Sequence, residues 1–374
     1  MSLFNKLFGQ KSNETNVTHT SHFEAAIKGN NNQSSSADFV RNSKKKKVGI
    51  KSALMEHSAK ERGLKTERFN SRILYVETPS GEKLAFSHMN GPDSSRVGMN
   101  ICDNKIHTRK LLRKNEIVVV KSKSFKHNQF EQAKEFVQKI NGPVVVKPIS
   151  LSRGRGITTN IQNEQQLEDA WNKAFDAYKT KKSTRTVLIE QQFNGYDYRV
   201  FVIKNRVISV TQRRRANVVG DGKSTILQLI EKKNEERLQN PYLQDYLIPT
   251  DIKVMDQLQN QQLTLDFVPK KGELITLRSQ SNISAGGDSV DYTDTIHPEF
   301  KEIAIKALNA IPGMEYAGID FIAKDITQKP TKDNYILSEV EYSPAPLSQF
   351  PYDGIAYDLS GAIIDYYMER TGKK

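Results

Sequence analysis

The chain has 374 residues, 56 Lys and Arg against 43 Asp and Glu, a formal net charge of +13, and one cysteine, Cys102. That length can bury a substantial core shared among two or three units. A lone cysteine excludes an internal disulfide framework and a cysteine-based zinc cluster, and it fits a reducing, cytoplasmic compartment. No apolar run approaches the ~18 residues that cross a bilayer, and the N-terminal MSLFNKLFG has too short an apolar stretch for a secretory signal.

The positive charge attracts polyanions, but its distribution argues against nucleic acid. Part of it lies in Lys44 to Lys47, inside a polar segment, and the rest is interleaved with acids on helix faces. No zinc-finger spacing, aromatic RNA-binding pattern or helix-turn-helix signal is present. Residues 1 to 48 are rich in Asn, Ser, Thr, Gln and Lys, too poor in bulky apolar groups to offset ordering entropy, and are expected to be a flexible tail.

An N-terminal α/β unit is expected over 49–120. A helical stretch from Lys51 (Leu54, Ala59, Leu64) leads into strands SRILYVETP and EKLAFSH, split by Pro79-Ser80-Gly81. In the next unit, 121–190, Phe130, Ala133, Phe136, Val137 and Ile140 share a helix face, and Asn141-Gly142-Pro143 stops that helix before the strand Val144 to Lys147. A second helix carries Leu167, Ala170, Trp171, Ala174, Phe175 and Tyr178 as a core stripe, with Asn163 as N-cap. The strand TVLIE (186 to 190) follows. The largest unit, 191–374, opens with a hairpin of YRVFVI and RVISV around Lys204-Asn205. The turn VVGDGKSTI, with Ser224 as candidate cap, then enters a helix. Phe300, Ile303, Ala304, Ala307, Leu308 and Ile311 define the strongest amphipathic helix. Strands GIDFIA and YILSEVEY and the helix YDLSGAIIDYYMER complete the chain.

Three carboxylates stand out. Residues two apart on a strand point the same way, so Glu339 and Glu341 share one face of YILSEVEY, and Asp320 lies in the middle of apolar GIDFIA. Magnesium takes oxygen ligands from a few carboxylates and substrate phosphates, and solvated edge-strand charges are the plain alternative. Lys147 lies near the end of VVVKP and precedes SLSRGRG (150 to 156), where backbone N–H groups of a glycine loop can cover phosphate oxygens; a surface turn would read the same. No Walker GxxxxGK[ST] is present. Glu190 and Gln191 end a strand and could line an adenine slot, Asp197 is placed for ribose hydroxyls, and Arg199 and Arg213 could reach a transferring phosphoryl group.

Taken in order, NKIHTRKLL, VVVKPISLSRGRGI, VLIEQQFNGYDYRVFVI, RRRANVVGDGKSTI, LRSQSNISAGGDSVDYTDTIHP, YAGIDFI and LSEVEYSPAP closely resemble the ATP-grasp carboxylate–amine ligases. Within these the match is strongest to the ATP-grasp modules of cyanophycin synthetase and of the fused bacterial glutathione synthetase. The resemblance covers residues 98 to 367, and ANVVGDGKSTI and SNISAGGDS are its specific segments. It implies an α+β ATP-grasp fold in which a lid (121–190) and a body (191–374) enclose the nucleotide beside the N-terminal unit.

The resemblance also implies site roles. Lys105 and Lys147 contact nucleotide phosphates, and the loop Ser152, Arg153, Gly154, Arg155 and Gly156 closes over them. Glu190, with Gln191, and Asp197 contact adenine and ribose, while Asp320, Glu339 and Glu341 hold magnesium, with manganese as the alternative ion. Arg278, with Asn282 and the turn Ser284 to Gly287, lies beside the acyl phosphate, next to where strand placement puts Arg199 and Arg213. The family commonly has Asn where this chain has Glu341, Glu where it has Gln191, and Asn-Pro where it has Tyr342-Ser343-Pro344; Arg153 and Arg155 make the loop unusually basic. The implied reaction joins a small carboxylate, such as an amino acid or short peptide, to an amine through an acyl phosphate, with ADP released; a homo-oligomer is compatible with it. An ATP-binding regulator without turnover is the main alternative, and a basic nucleic-acid-binding protein the lesser one.

Overall fold

The computed structural model describes residues 24–26, 35–149, 151, 155–178 and 185–372. A short strand, β1 (Glu24–Ala26), precedes helix α1 (Ser35–Lys45), which packs on α2 (Ile50–Glu61). The tail expected through residue 48 is therefore structured at its end. Ala37 and Val40, three apart on α1, are fully buried in a cluster with Leu54, Leu243 and Phe350, with Phe39 packed beside them, so a few apolar residues dock a mostly polar helix.

A three-stranded antiparallel meander follows: β2 (Lys65–Arg68), β3 (Ile73–Glu77) and β4 (Lys83–Ser87). Alternation buries Leu74 and Val76 on β3 and Leu84 and Phe86 on β4. The sequence KTER of β2 carries no such alternation; it is a strand only because β3 offers it an edge. Helices α3 (Arg96–Asp103) and α4 (Lys105–Lys114) come next, their starts fixed by side-chain caps from Ser95 and Asn104.

The lid comprises β5 (Ser122–Lys126), α5 (Phe130–Gln138), β6 (Val144–Pro148), β7 (Thr158–Ile161), α6 (Glu164–Asp176) and β8 (Thr186–Gln191), with sheet order β5-β8-β6-β7. Asn163 caps α6 by accepting from the Gln166 amide, and Trp171 and Phe175 pack with Phe125, Val146 and Ile189 in the lid's own core. The boundary expected at 190–191 falls inside β8, where Gln191 still pairs with Val144.

The remaining strands and helices are β9 (Tyr196–Ile203), β10 (Arg206–Arg214), β11 (Asn217–Val219), α7 (Ile226–Gln239), α8 (Ile252–Gln259), β12 (Leu274–Thr276), β13 (Asp288–Asp291), α9 (Pro298–Asn309), β14 (Tyr316–Ala323), β15 (Tyr335–Glu341), β16 (Gly354–Ala356) and α10 (Leu359–Thr371). The central sheet runs β13-β10-β9-β14-β15, antiparallel throughout, while β11 pairs with β12 and β1 with β16. One face of the central sheet, with Tyr198, Val200, Ile319, Phe321 and Leu337, packs on Phe300 and Leu308 of α9. The other face shares Phe201 and Ile203 with α2, β3, β4 and α10, so the N-terminal unit and the body have a common core. The cap of α7 is Thr225, in a reciprocal capping box with Gln228, rather than Ser224. Ser224 instead gives its amide and hydroxyl to Asp221, closing the turn before the helix.

Candidate active site

Strand alternation lines up the polar residues of the central sheet. With Tyr198 and Val200 committed to the α9 side, Asp197 and Arg199 point the other way. Register then places Arg199 opposite Asp320, Asp320 opposite Glu339, and Arg213 opposite Asp197. A β-bulge at the Asp320 step leaves Ser338 as the extra residue on β15, between Leu337 and Glu339. Without it, Leu337 and Glu339 would share a face; with it, Leu337 enters the core while Glu339 and Glu341 remain partly exposed.

Asp320 is buried, and both its oxygens are taken. Arg199 donates from Nε to Oδ1 at 2.7 Å and from Nη2 to Oδ2 at 2.8 Å, and Arg213 Nη2 lies 2.9 Å from Oδ2. Burial alone would raise the Asp320 pKa, but the two guanidinium groups outweigh it and hold the carboxyl below its usual range. Asp320, expected as a metal ligand, is held here by two guanidinium groups, with one contact on Oδ1 and two on Oδ2. Among the described residues, no three His, Cys, Asp or Glu side chains converge as a metal site. Glu339 and Glu341 keep oxygen-donor character suited to magnesium. Glu339 pairs with Lys105 at 2.8 Å at a partly exposed position, and Glu341 accepts the Ser343 amide at 3.0 Å through one oxygen.

The lid supplies a second charged group. Val144 and Val146 enter the lid core, so Lys147 projects from the opposite face of β6. Glu190, on the same side of β8, binds Lys147 and also Arg109, whose Nη2 is 2.8 Å away. Burial works to raise the Glu190 pKa, and Lys147 and Arg109 reverse the shift to a net lowering; burial also lowers that of Lys147, against the pull of Glu190. Gln191, next along the strand, points the opposite way from Glu190 and donates to the Asn141 carbonyl at 3.1 Å. The two side chains, expected together at an adenine slot, thus lie on opposite faces of the strand.

Sequence reasoning missed Arg109. It lies one helical turn after Lys105 on α4, and that i, i+4 spacing was the available signal. It is 2% exposed, and its Nε and Nη1 find no hydrogen-bond partner among the described residues. Buried guanidinium donors without acceptors are costly, and an anionic ligand would satisfy them. Arg213 Nε and Arg278 Nε are orphaned in the same way. Lys51 on α2, also missed, donates to the Ser343 carbonyl and, at 3.0 Å, to its hydroxyl. Burial pushes its ammonium down to about 8, partly opposed by Glu341.

The other expected site residues are placed as follows. Asp197 accepts from the Ser281 hydroxyl and faces Arg213 at 3.8 Å, and burial raises its pKa. Arg278 donates to Asp251, the cap of α8, at 2.6 Å. The Asn282 side chain, expected beside the acyl phosphate, caps the turn Ile283–Ala285 by accepting from the Ser284 amide and hydroxyl. Ser152, Arg153 and Gly154 lie outside the described residues. Gly156 has φ +71°, and a Cβ there would come within 2.7 Å of the Ala177 Cβ, so the loop needs glycine where it passes α6.

Buried cations on α4, the lid and the central sheet, several with unpaired donors, suit a polyphosphate. A family model described as phosphoribosylglycinamide synthetase, ATP-grasp (A) domain, matches residues 103–223, which span α4, the lid and β9 to β11. The bifunctional glutathione synthetase of Pasteurella multocida has the same fold at a TM-score of 0.67 and 27% identity, covering 86% of this chain and 44% of that one. The chain belongs to the ATP-grasp superfamily. The ATP-grasp chain is 33% identical over 310 residues to the glutathione biosynthesis bifunctional protein GshAB of Clostridium perfringens, covering 82% of itself and 39% of that protein. It is 34% identical over 241 residues to the cyanophycin synthetase of Crocosphaera subtropica, covering 63% of itself and 27% of that protein. It therefore spans less than half the length of these curated relatives. Among its described residues, no helix is long and apolar enough to cross a membrane.

Proposed function

We propose that this ATP-grasp protein is an ATP-dependent, ADP-forming carboxylate–amine ligase acting in the cytoplasm on an amino acid or short peptide. The observation that carries the reading is the convergence of Arg109, Lys147 and Glu190 from α4 and the lid, with Arg199, Arg213 and Asp320 from the central sheet. In that set, buried Arg109 and Arg213 N–H groups still lack acceptors among the described residues. The relatives named above are ATP-grasp ligases, and this supports the reaction class.

Bound ATP supplies the phosphoryl group that activates a carboxylate, and a divalent ion neutralises charge on the phosphates. Lys105, Arg109 and Lys147 hold the phosphates. Glu339 and Glu341 hold the ion, magnesium by preference. Asp320 fixes the directions of Arg199 and Arg213, whose guanidinium groups steady the charge that spreads over the transferring phosphoryl. The chain's residues thus position and neutralise, and no side-chain nucleophile is required.

The test is ADP release over a panel of amino acids and dipeptides supplied in pairs, with mass spectrometry of the products. ADP formed with a new amide of matching mass supports the proposal. Tight nucleotide binding with no product from any pair would instead make the chain a nucleotide-binding regulator.

A further inference from the structure

We propose that Lys51, on the N-terminal unit, is a positioning residue for the divalent-ion site, where it holds the turn after β15 that aims Glu341. This deepens the ligase reading above and rests on it.

Lys51 stands where a lysine adds little to stability. It is the second residue of α2, beside the helix N-terminus, whose unpaired N–H groups carry partial positive charge and disfavour a cation. It is also partly buried, and its ammonium donates to neutral oxygens, the Ser343 carbonyl and, at 3.0 Å, the Ser343 hydroxyl. Farther along α2 and at its end, Lys60 and Arg62 are paired with carboxylates, those of Glu56 and Asp365. A cation withdrawn from water without a carboxylate of its own is costly. Its use lies in what it holds.

Packing directs that ammonium. Val48 and Ile50, at the start of α2, lie against a core cluster that includes Leu347 and Phe350, with Ala345 beside them. This core seats the first turn of α2 on the segment after β15, and Lys51, next after Ile50, meets Ser343 in that segment.

Ser343 is joined to the site on both sides. Its amide donates to Glu341 Oε1 at 3.0 Å, which orients the carboxylate and leaves Oε2 for an ion. Pro344 lies over Gly318, the residue opposite Glu341 in the β14–β15 register. A Cβ on Gly318 would come within 3.1 Å of Arg199 Cδ and 3.2 Å of Pro344 Cβ, so both side chains use the space that glycine leaves. One turn therefore orients Glu341 and flanks Arg199, and Lys51 pins it from another unit of the fold. The charges of the same two residues act on Lys51, Glu341 attracting it and Arg199 repelling it.

By charge alone, a lysine near Glu341 opposes a divalent ion. By position, it favours one. The two effects have opposite signs, so removing Lys51 tells them apart.

The experiment titrates magnesium into the full chain with N-methylanthraniloyl-ADP as fluorescent probe, beside a titration of the same nucleotide in EDTA. Lys51→Met, similar in length and without a donor, should weaken magnesium-dependent binding by about 10–100-fold, the range for groups that orient a metal ligand. Its magnesium-free affinity should match that of the native chain, because Lys105, Arg109 and Lys147 are untouched; a general loss of folding would lower both. Lys51→Arg still donates to Ser343 and should recover most of the loss. Lys51→Gln stops short of Ser343, should lose the ion as Lys51→Met does, and takes its place if that variant does not fold. Because Lys51 acts through Glu341, the double variant K51M/E341Q should bind magnesium no more weakly than E341Q. Tighter or unchanged magnesium binding in Lys51→Met, additive losses in the double variant, or a native affinity indifferent to magnesium would overturn the inference. A native chain that binds the nucleotide in neither titration would sink the ligase reading and this inference with it, whereas magnesium-dependent binding that survives in Lys51→Met would sink this inference alone.

Discussion

Asp320 on β14 receives Arg199 from β9 and Arg213 from β10, so one buried carboxylate holds together two cations from neighbouring strands. Removing one member of such a group strands the others: Asp320→Asn leaves two buried guanidinium groups facing each other without an anion. The expected loss of stability is about 3–5 kcal/mol, read as a lower urea midpoint at unchanged slope. A loss below about 1 kcal/mol would show that Asp320 does not organise the arginines.

Glu339 presents a contrasting case. Its pairing with Lys105 is partly exposed, so the stability of Glu339→Gln should stay within about 1 kcal/mol of the native protein. Its carboxylate is nonetheless assigned to the divalent ion, and ADP release should fall by more than the ~10–100-fold typical of an outer-sphere partner. Undiminished turnover in this variant would remove Glu339 from the metal site.

The acid limb of stability follows from Asp320 and Glu190, whose folded pKa values both lie below the ordinary carboxylate value. A carboxyl with a depressed folded pKa contributes stability that is full above its unfolded pKa of about 4 and is lost as pH falls through the folded one. The native protein should therefore lose stability progressively below about pH 4. Glu190→Gln, already destabilised at neutral pH by the uncompensated Lys147 and Arg109, should show a flatter acid limb in denaturant midpoints measured from pH 6 to pH 3. Parallel limbs for the two proteins would refute the assignment.

Gly286 joins the capped turn of Asn282 to β13 with φ +90°, and a Cβ there would lie 2.8 Å from the Ile248 Cα. Gly286→Ala meets both backbone strain and a contact with main chain that cannot swing aside. It should cost more than about 1 kcal/mol, whereas Gly272→Ala, also at positive φ but with nothing within 4 Å, should cost only the strain. Equal thermal midpoints for the two variants would show that the Ile248 contact relaxes freely.

Much of this arrangement was legible because periodicity reports burial. The α6 stripe and its Asn163 cap, the β9–β10 hairpin and the apolar strands β14 and β15 follow directly from spacing. What spacing could not show depends on contacts between distant segments. β2 is made by its neighbour, α1 docks with Ala37 and Val40 as its fully buried apolar residues, and the bulge at Ser338 decides which way Glu339 faces. The carboxylates Asp320 and Glu190 stand out in the sequence as charges on apolar strands, but their arginine partners come from other strands and from α4. A sequence shows where a charge sits along the chain, and only the register shows which charge opposes it.

Cys102, at the end of α3, is 3% exposed, and burial, with Glu341 and Asp103 nearby, pushes its thiol up to about 12. The thiolate is the reactive form. At pH 8 a group with that pKa is ionised to about one part in ten thousand, against several per cent to a quarter for an ordinary thiol. The native protein should therefore resist iodoacetamide at pH 8 and alkylate fully in 6 M guanidinium chloride, a contrast that intact mass spectrometry reads as a single added group. Because burial is the largest cause of the suppression, the folded protein should stay unreactive with magnesium and ATP present. Rapid alkylation of the folded chain would mean that α3 opens locally, and with it the position of Asn104 and Lys105 at the start of α4.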